Sequence, residues 1–458
     1  MTPPTATAAA SPVSAAAHAL ERLRRSRAAL PLALGAALWF AYAVGGLRPP
    51  WAAIVVSDAD AGGARRQLLF TAIAAAAGYA VLRASALTAL CSARRGLFVA
   101  LALVLGSALA SEAPATSLKR GVLLAFACLT LAACLHASAA PLRTFQRVAL
   151  GVATAAGGAS LLAFAALPAA CWSIAERPGL AGVTSHPNTL APIMAIGLLI
   201  SLGVSPQGAL GRRRLWAARA VMIAALALAR SVTSWALLGA GVGLWWYLRA
   251  SPARRGRLQV TVAAALVFAG GAAQLLSADE LLGAVGRDPS LSGRDVLWGR
   301  VLAAGFEQPL FGRGFGAFWV EGRGRDLVGT WNPRQSHNAY LDLFLDLGLA
   351  GLLAGAAAAG AAAQRGWRLL ARAPCGSPAR SAIASLLALG GALLGIYGWG
   401  ESFLLKADKL AFLVLLWAAL LLTNRDANGL TRELGLSECG GARAASQAAR
   451  LAPRAGGT

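Results

Sequence analysis

The chain has 458 residues, of which 57% are hydrophobic and only 13% are charged. This composition is far more apolar than that of an average water-soluble protein and excludes an ordinary soluble enzyme. The formal net charge is +23. Most arginines stand between apolar stretches and do not form one basic face, so membrane topology and anionic lipids explain this charge better than nucleic acid does. We therefore predict an integral membrane protein that does not bind nucleic acid.

Apolar windows long enough to cross a bilayer recur along the whole chain, since a transmembrane helix needs roughly 20 such residues. We predict an all-α polytopic fold with about twelve transmembrane helices, at residues 29–47, 67–82, 97–112, 121–139, 148–170, 188–205, 215–229, 231–248, 258–277, 338–363, 381–398 and 409–423. Residues 29–423 then form the membrane domain. Residues 1–28 are predicted to be a cytoplasmic tail, and residues 424–458 a disordered cytoplasmic tail that lacks a continuous apolar face.

Arginines in short loops predict the orientation, because such loops are retained on the cytoplasmic side. Alternate loops carry them: Arg94 and Arg95; Arg143 and Arg147; Arg212, Arg213 and Arg214; Arg249, Arg254, Arg255 and Arg257; Arg365, Arg368 and Arg372. The large loop at residues 278–337 consequently faces the other side. In a Gram-negative cell this is the periplasmic side of the inner membrane.

The sequence shows no pattern typical of metal or redox chemistry. Its six cysteines are scattered without metal-ligand spacing, and the outward loop has no cluster of aspartates. We predict no metal and no cofactor. The glycines of FGRGFGAFW follow no predicted strand, so they are interpreted as turn and close-packing positions and not as a nucleotide-binding loop.

The outward loop is rich in cations and aromatic side chains. Its arginines are either solvated surface residues or ligands of a phosphorylated lipid head group, which guanidinium matches with two parallel hydrogen bonds. These arginines are Arg287, Arg294, Arg300, Arg313, Arg323, Arg325 and Arg334, and Arg230 between two predicted helices is a further outward cation. Trp298 and its aromatic neighbours are interpreted first as a membrane-interface belt and second as a surface that stacks on sugar rings.

The segment SHNAYLDL places a histidine and an asparagine at the mouth of an apolar helix. Asn338, Asp342 and Asp346 recur at intervals of four and lie on one stripe of that helix. A carboxylate inside a membrane segment is costly, so a functional or partnered role is expected. His337 is therefore a candidate catalytic base. His186, in SHPNTLAP, has a similar position, but there a simple helix cap is the favoured interpretation.

These residues carry a resemblance to a known superfamily. Residues 292–319, SGRDVLWGRVLAAGFEQPLFGRGFGAFW, and residues 336–352, SHNAYLDLFLDLGLAGL, resemble the signature region of bacterial O-antigen ligases and related polysaccharide polymerases. Exopolysaccharide polymerases are the nearest in character, and TSHPNTLAPIMA gives weaker support. The resemblance implies an inner-membrane enzyme that moves a glycan from undecaprenyl diphosphate to an acceptor hydroxyl on the periplasmic side, without nucleotide sugar or metal.

The resemblance also implies roles for individual residues. His337 matches the family's loop histidine, Arg294 its arginine before the tryptophan, and Asp346 stands where a glutamate is common. Arg230 precedes Ser231, whereas family members usually have Ser-Arg at that turn. His337 and Arg294 are the predicted catalytic residues; the predicted substrate-binding residues are Arg230, Arg313, Arg287, Arg334, His186, Asn338, Trp298 and Asp346.

The predicted mechanism is general base catalysis with electrostatic stabilisation of the leaving group. The imidazole of histidine, with an ordinary pKa of about 6.5, is largely neutral at working pH and can accept the proton of the acceptor hydroxyl. Arg294, with Arg313 or Arg230 as helpers, would hold the diphosphate. The acceptor is lipid A-core in a ligase, a carrier-linked repeat in a polymerase, or a protein. A lipid or glycan transporter and a non-catalytic scaffold remain alternatives.

Overall fold

The computed structural model describes residues 30–44, 71–75, 78–79, 95–173, 178–251, 254–256, 294–319, 326–327, 333–423 and 427–436. These residues are almost entirely helical. In chain order, we name helices α1 (Leu30–Ala43), α2 (Arg95–Gly106), α3 (Pro114–Ala137), α4 (Pro141–Ala166), α5 (Pro187–Ser201), α6 (Gly208–Ala229), α7 (Val232–Arg249), α8 (Arg294–Phe306), α9 (Ala339–Arg372), α10 (Pro378–Gly400), α11 (Leu410–Thr423) and α12 (Ala427–Glu433). Strands β1 (Trp172–Ser173) and β2 (Gly179–Leu180) form a short antiparallel hairpin before α5.

The predicted all-α class is confirmed for the described residues. Ten predicted spans coincide with α1 to α7 and α9 to α11. Among the described helices, α3, α4, α9 and α10 are long and apolar enough to cross a membrane, whereas α1, α2, α5, α8 and α11 are apolar but shorter. The predicted span at 258–277 lies outside the described residues and the one at 67–82 is described only in part. The chain is therefore a multi-pass membrane protein, and a total of about twelve spans stays a prediction.

Several helices extend into segments that were predicted to be loops or tail. Arg212 to Arg214 lie in the first turns of α6, and Arg365 to Arg372 in the last turns of α9. Long arginine side chains reach water from a helix end, so the backbone keeps its helical hydrogen bonds there. The outward loop contains α8, and the segment predicted to be a disordered tail contains α12; disorder of the tail stays a prediction.

Helix α12 is attached to the helix bundle. The carboxylate of Glu433 accepts hydrogen bonds from the backbone N–H groups of Leu142 and Arg143, at 2.9 and 3.0 Å, in the first turn of α4. The N–H groups in the first turn of a helix have no partner within that helix, so the Glu433 carboxylate supplies one. Its negative charge also interacts favourably with the positive end of the helix dipole. Leu430 is buried in the core, and Leu434 and Leu436 pack against it, so apolar contacts and the Glu433 carboxylate together attach this segment.

The arginine-bearing helix ends lie together at one end of the bundle. Gln146 of α4 donates to the carbonyl of Gly203 at 3.0 Å, and Ser381 of α10 donates to the carbonyl of Leu202 at 2.9 Å. The start of α9 and the end of α10, which carry His337 and Glu401, lie at the opposite end. This arrangement agrees with the predicted alternation of loops, and which end faces the periplasm stays a prediction.

The hydrophobic core is built around α5 and α11. Nearly every residue of α5 is buried, because α4, α6, α7 and α10 pack around it. Trp417 of α11 is fully buried and makes edge-on ring contacts with Phe40 and Phe145, with centroid distances of 5.5 and 5.4 Å. These contacts join α1, α4 and α11.

Helix α9 is interrupted at Gly348, which has φ 61° and ψ −156°. The break frees backbone groups that must be satisfied within the protein, since a bilayer offers no hydrogen-bond partners. Residues 309–314, in the segment after α8, supply these partners. The bonds run from Arg313 N–H to Leu345 O (2.9 Å), Gly314 N–H to Asp346 O (3.2 Å), Leu349 N–H to Pro309 O (2.8 Å) and Ala350 N–H to Leu310 O (3.1 Å).

The glycines of FGRGFGAFW allow this close contact, which confirms their predicted role in turns and packing. Gly312, Gly314 and Gly316 all have positive φ values, of 70°, 97° and 65°. A Cβ atom on Gly312 would lie 2.5 Å from the carbonyl carbon of Asp346, and one on Gly314 would lie 2.3 Å from Cβ of Ser111. A side chain at Gly312 would push the segment away from α9, and one at Gly314 would push it away from the loop after α2.

Replacing Gly348 by alanine is expected to destabilise the protein by at least about 2 kcal/mol, because its φ and ψ are nearly exclusive to glycine. The new Cβ would also lie 2.5 Å from the carbonyl carbon of Leu310. The midpoint of thermal unfolding of the protein in detergent measures the effect. Gly360→Ala in the same helix is the control, since a Cβ atom added there would meet no atom within 4 Å. Equal midpoints for the two variants would contradict the assigned strain.

Candidate active site

His337 lies directly before the first turn of α9 in a left-handed backbone conformation, with φ 55°. Asn338 caps the helix: its Oδ1 accepts hydrogen bonds from the N–H groups of Tyr340 and Leu341 at 3.0 and 3.2 Å. A residue with a Cβ atom loses about 1–2 kcal/mol in the left-handed conformation. Contacts on both sides of His337 must therefore hold it in place.

Ser336 provides these contacts. Its Oγ donates to the carbonyl of Asn338 at 2.7 Å and accepts from the N–H of the same residue at 3.1 Å. The carbonyl of Ser336 accepts a hydrogen bond of 2.9 Å from the indole Nε1 of Trp298 in α8. Both neighbours of His337 are buried, whereas the His337 side chain is 25% exposed. The loop thus presents an imidazole to solvent from a rigid frame, with Trp298 as an anchor.

Asp342 connects this frame to a second loop. It is 4% exposed, and its Oδ1 accepts from the N–H of Ser336 at 3.0 Å and from the indole of Trp319 at 3.1 Å. Its Oδ2 forms an ion pair of 2.9 Å with Nζ of Lys406, between α10 and α11. The expected partnered role of a carboxylate in this helix is confirmed for Asp342. Its counterion is a lysine from a distant part of the chain.

Asp346 lies one turn further along α9. It is 9% exposed, and its Oδ1 has no hydrogen-bond partner among the described residues. Its backbone carbonyl accepts from Gly314 at 3.2 Å, next to the break in the helix. For a carboxylate this deep in the helix, the sequence predicts pairing with an arginine or orientation of a neighbouring donor. The backbone N–H of Gly316 donates to the Asp346 carboxylate, and the positive charges of Lys406 and Arg120 attract it, but among the described residues it forms no close ion pair with an arginine. Contact of Asp346 with substrate stays a prediction.

The loop after α10 brings a carboxylate to the histidine. Oε2 of Glu401 lies 3.9 Å from Nδ1 of His337, which is beyond hydrogen-bond distance but within the range of an ion pair if the ring is protonated. Nε2 of Gln335 lies 3.4 Å from the same nitrogen. Lys406 donates to Oε1 of Gln335 at 3.2 Å and thereby orients its amide. Nδ1 of His337 therefore faces Gln335 and Glu401, and Nε2 lies on the opposite edge of the ring.

Glu401 and Lys406 were not among the residues predicted from the sequence. They lie just beyond the predicted span at 381–398, where charged residues at a helix end are ordinary. The one available signal was a glutamate and a lysine in a loop on the predicted outward side. Both residues are separated from His337 in the sequence by the whole of α9 and α10. No local sequence pattern could therefore predict their contacts near His337.

The end of α10 is irregular beside the site. Residues Leu393–Tyr397 form a π-helical turn, a rare conformation that often occurs at functional sites. The hydroxyl of Tyr340 donates to the carbonyl of Leu394, and its ring lies 5.5 Å from that of Trp399. Trp399 is 58% exposed. The π-helical turn thus joins α10 to α9 and leaves one aromatic ring exposed near Glu401.

The predicted arginines fall into different environments. Arg294 is the first residue of α8, one helical turn before Trp298. Arg334 is exposed and lies two residues before Ser336. Arg230 is exposed at the end of α6, in a left-handed conformation with φ 54°. Arg287 lies outside the described residues.

Arg230 lies at the same end of the bundle as His337. A Cβ atom on Gly400 would lie 3.5 Å from Cγ2 of Thr233, so the first turn of α7 adjoins the residue before Glu401. The turn that carries Arg230 immediately precedes Thr233. The turn that carries Arg230 and the loop that carries His337 therefore both lie near the end of α10.

Arg313 has a structural environment that differs from the predicted substrate contact. Its guanidinium forms ion pairs with Glu112 and Glu307, and its Nε donates to the carbonyl of Ala304 at 3.0 Å. The Arg313 side chain is 11% exposed. Two carboxylates already balance the charge of Arg313. We therefore infer a structural role, in which Arg313 joins α8 to the loop after α2. We do not include it among the proposed ligands of the diphosphate.

His186 is a helix cap, as the favoured interpretation of the sequence proposed. Its Nδ1 accepts a hydrogen bond of 3.0 Å from the N–H of Asn188 in the first turn of α5. Nδ1 of His186 and Oδ1 of Asn338 are therefore both engaged in capping a helix. Contact of either residue with substrate stays a prediction. Within the described residues, no three His, Cys, Asp or Glu side chains form a group that could hold a metal ion.

Comparisons with known proteins agree with the resemblance found in the sequence. Residues 217–355 match the family model described as O-antigen ligase. The chain is also 31% identical over 194 residues to the exopolysaccharide production protein ExoQ of Rhizobium meliloti (strain 1021). That alignment covers 38% of this chain and 45% of the relative, so the chain spans less than half the length of the curated relative that it matches. The resemblance to O-antigen ligases and polysaccharide polymerases is confirmed.

Proposed function

We propose, with the O-antigen ligase match over residues 217–355 as the premise, that this protein is an inner-membrane glycosyltransferase. It moves a glycan from undecaprenyl diphosphate to an acceptor hydroxyl on the periplasmic side, and it uses neither nucleotide sugar nor metal. The observation that carries the proposal is the rigidly held and partly exposed His337, whose Nδ1 has Glu401 at 3.9 Å. Such a pair suits removal of a proton from an alcohol.

In the proposed reaction, the neutral imidazole of His337 accepts the proton of the acceptor hydroxyl on its unprotonated ring nitrogen. The acceptor oxygen forms a bond to the anomeric carbon of the glycan, and the bond from that carbon to the diphosphate oxygen breaks. Undecaprenyl diphosphate leaves with the electron pair of the broken bond. Glu401, whose Oε2 lies 3.9 Å from Nδ1, places a negative charge beside the imidazolium that results.

Arg294 is proposed to hold the diphosphate, with Arg230, Arg334 and Arg287 as helpers. A guanidinium group binds phosphate oxygens in pairs and stabilises the charge that develops on the leaving group. The position of Arg294 supports this role, because it begins the helix whose Trp298 is bonded to Ser336 at 2.9 Å. Helix α8 thus connects the residue before His337 to Arg294 by one rigid element.

Replacing Glu401 by glutamine is expected to lower the turnover number about tenfold, which corresponds to about 1.4 kcal/mol. The substitution keeps the size of the side chain and removes the charge that stabilises the imidazolium. Turnover and its dependence on pH in a reconstituted transfer assay measure the effect. Glu401→Asp serves as the conservative control and should retain more activity than Glu401→Gln. Equal losses in both variants would assign Glu401 to packing instead.

The acceptor distinguishes two forms of the proposal. The ligase form, with lipid A-core as the acceptor, follows the description of the matching family. The polymerase form, with a carrier-linked repeat as the acceptor, is favoured by the name of the relative, which refers to exopolysaccharide production.

Deleting the gene and analysing the envelope glycans separates these forms. Loss of polymer from lipopolysaccharide, with carrier-linked polymer retained, supports a ligase, whereas accumulation of single repeat units supports a polymerase. The transporter alternative is tested with the purified protein: movement of a carrier-linked glycan across a vesicle membrane without glycan transfer would overturn the enzymatic proposal. A scaffold would remain functional after substitution of His337.

A further inference from the structure

The end of the bundle opposite His337 contains a cavity lined by three arginines. Its volume is about 470 Å³, and it lies among the end of α9, the start of α10 and the segment after α7. Arg255, Arg372 and Arg380 line this cavity, together with Cys375. Three positive charges around one cavity, with no acidic side chain among its described lining residues, create a strong attraction for anions.

Two of these arginines are held in place by helix ends. Arg380 is 6% exposed, and its Nη1 donates to the carbonyls of Leu370 and Ala373 at 3.1 and 3.0 Å, at the end of α9. Arg255 donates through Nε to the carbonyl of Ala250 at 3.2 Å, just after α7. The negative ends of helix dipoles favour cations at such positions. These bonds orient both guanidinium groups before any ligand binds.

Both guanidinium groups make further capping bonds: Nη2 of Arg255 donates to the carbonyl of Leu248, and Nη2 of Arg380 to that of Ala250 at 3.5 Å. A ligand in the cavity would therefore meet chiefly Nη1 of Arg255 and the side chain of Arg372.

The guanidinium of Arg255 also lies 5.7 Å from the ring of Tyr247 and 5.5 Å from that of Trp367, which fixes its plane. Burial, and next the like charge of Arg380, lower the pKa of Arg255. Arg372 adds a third, exposed cation to this pair. An anion in the cavity would offset the mutual repulsion of these charges.

We propose that this cavity binds a phosphate group. Guanidinium pairs phosphate oxygens through parallel hydrogen bonds, and basic cavities between transmembrane helices are suited to anionic lipid head groups. The phosphate is carried by an anionic phospholipid or is free inorganic phosphate, which are two sources of the same chemistry. The site lies at the end of the bundle away from His337 and does not depend on the proposed glycan transfer.

Cys375 gives a direct measurement of binding, because it is exposed and lines the cavity. Cys128, Cys134 and Cys171 are buried, and Cys91 and Cys439, which lie outside the described residues, are replaced by serine in the full-length protein. The rate at which Cys375 reacts with an uncharged maleimide is measured in nanodiscs of phosphatidylcholine, with or without phosphatidylglycerol. A third sample contains phosphatidylcholine nanodiscs with added inorganic phosphate.

We expect one of the anions to slow the labelling of Cys375. Slowing by phosphatidylglycerol alone identifies a lipid head group, and slowing by inorganic phosphate identifies a free anion; either supports the site. Arg372→Gln should weaken the anion's effect about fivefold, the change expected for one basic residue at a membrane surface. Arg368→Gln, one turn earlier in α9 and not among the residues that line the cavity, is the matched control and should retain the protection.

A second reporter separates the cavity from the general charge of the membrane. Gln207→Cys, in protein that also carries Cys375→Ser, places an exposed thiol before α6 at the same end of the bundle. Protection of Cys375 without protection at position 207 supports the proposal. Equal protection at both positions, equal effects of Arg372→Gln and Arg368→Gln, or no protection by either anion would overturn it.

Discussion

Replacing His337 by asparagine is expected to reduce glycan transfer by about 10²- to 10⁴-fold, the usual contribution of a general base. Asparagine has no group that accepts a proton at neutral pH. It also tolerates the left-handed conformation that His337 adopts, with φ 55°, better than most residues do. The loss should therefore come from chemistry and not from misfolding. Turnover of a carrier-linked glycan by the reconstituted protein measures it.

His186→Asn is the matched control for this substitution. His186 lies at the same end of the bundle and caps α5 through a 3.0 Å bond to Asn188, and asparagine is a favourable residue at such a position. Its variant should keep the cap of α5, and its loss of glycan transfer should be much smaller than that of His337→Asn. Normal activity of His337→Asn, with the protein folded and inserted, would refute the assignment of His337 as the base. Equal losses in both variants would point to a general structural effect.

Replacing Lys406 by methionine is expected to destabilise the protein by about 3 kcal/mol or more, because removal of one partner leaves a buried charge uncompensated. Asp342, which is 4% exposed, would lose its 2.9 Å ion pair while still accepting hydrogen bonds from Ser336 and Trp319. Activity should fall as well, since Lys406 also orients Gln335 beside His337. Thermal unfolding in nanodiscs and turnover measure the two effects.

Lys409→Met is the control for this prediction, because it removes the same charge from the same loop without breaking the ion pair with Asp342. The double variant Lys406→Met with Asp342→Asn should be more stable than Lys406→Met alone, since the second substitution removes the uncompensated carboxylate. If the double variant were as unstable as the sum of both single substitutions, the ion pair would not be the source of the effect.

Local patterns were sufficient to predict much of the polar arrangement around His337. SHNAYLDL indicated a polar pair at a helix start, and the structure places Asn338 at the cap of α9 with His337 directly before it. The four-residue interval predicted that Asp342 lies on the stripe below. Such features depend on the geometry of a single helix, which adjacent residues specify.

Residue type alone did not distinguish the roles of the arginines or of Trp298. Arg313 was expected to bind a lipid phosphate, but its guanidinium is paired with Glu112, which lies 201 positions away in the sequence. Trp298 donates to Ser336 instead of serving only as an interface residue. In both cases the partner belongs to another element, and a side chain's role follows from the partner that folding brings to it.

The composition and helical periodicity of this chain were enough to establish its membrane class, its all-α character and the segment around His337 as the candidate site, because burial in lipid and the helical repeat act on neighbouring residues. The approach of Glu401 and Lys406 to His337 and Asp342, and the insertion of residues 309–314 at the break in α9, follow only from the packing of distant helices. Those contacts join segments separated by dozens of residues, and their formation depends on how whole helices pack, which no local pattern specifies.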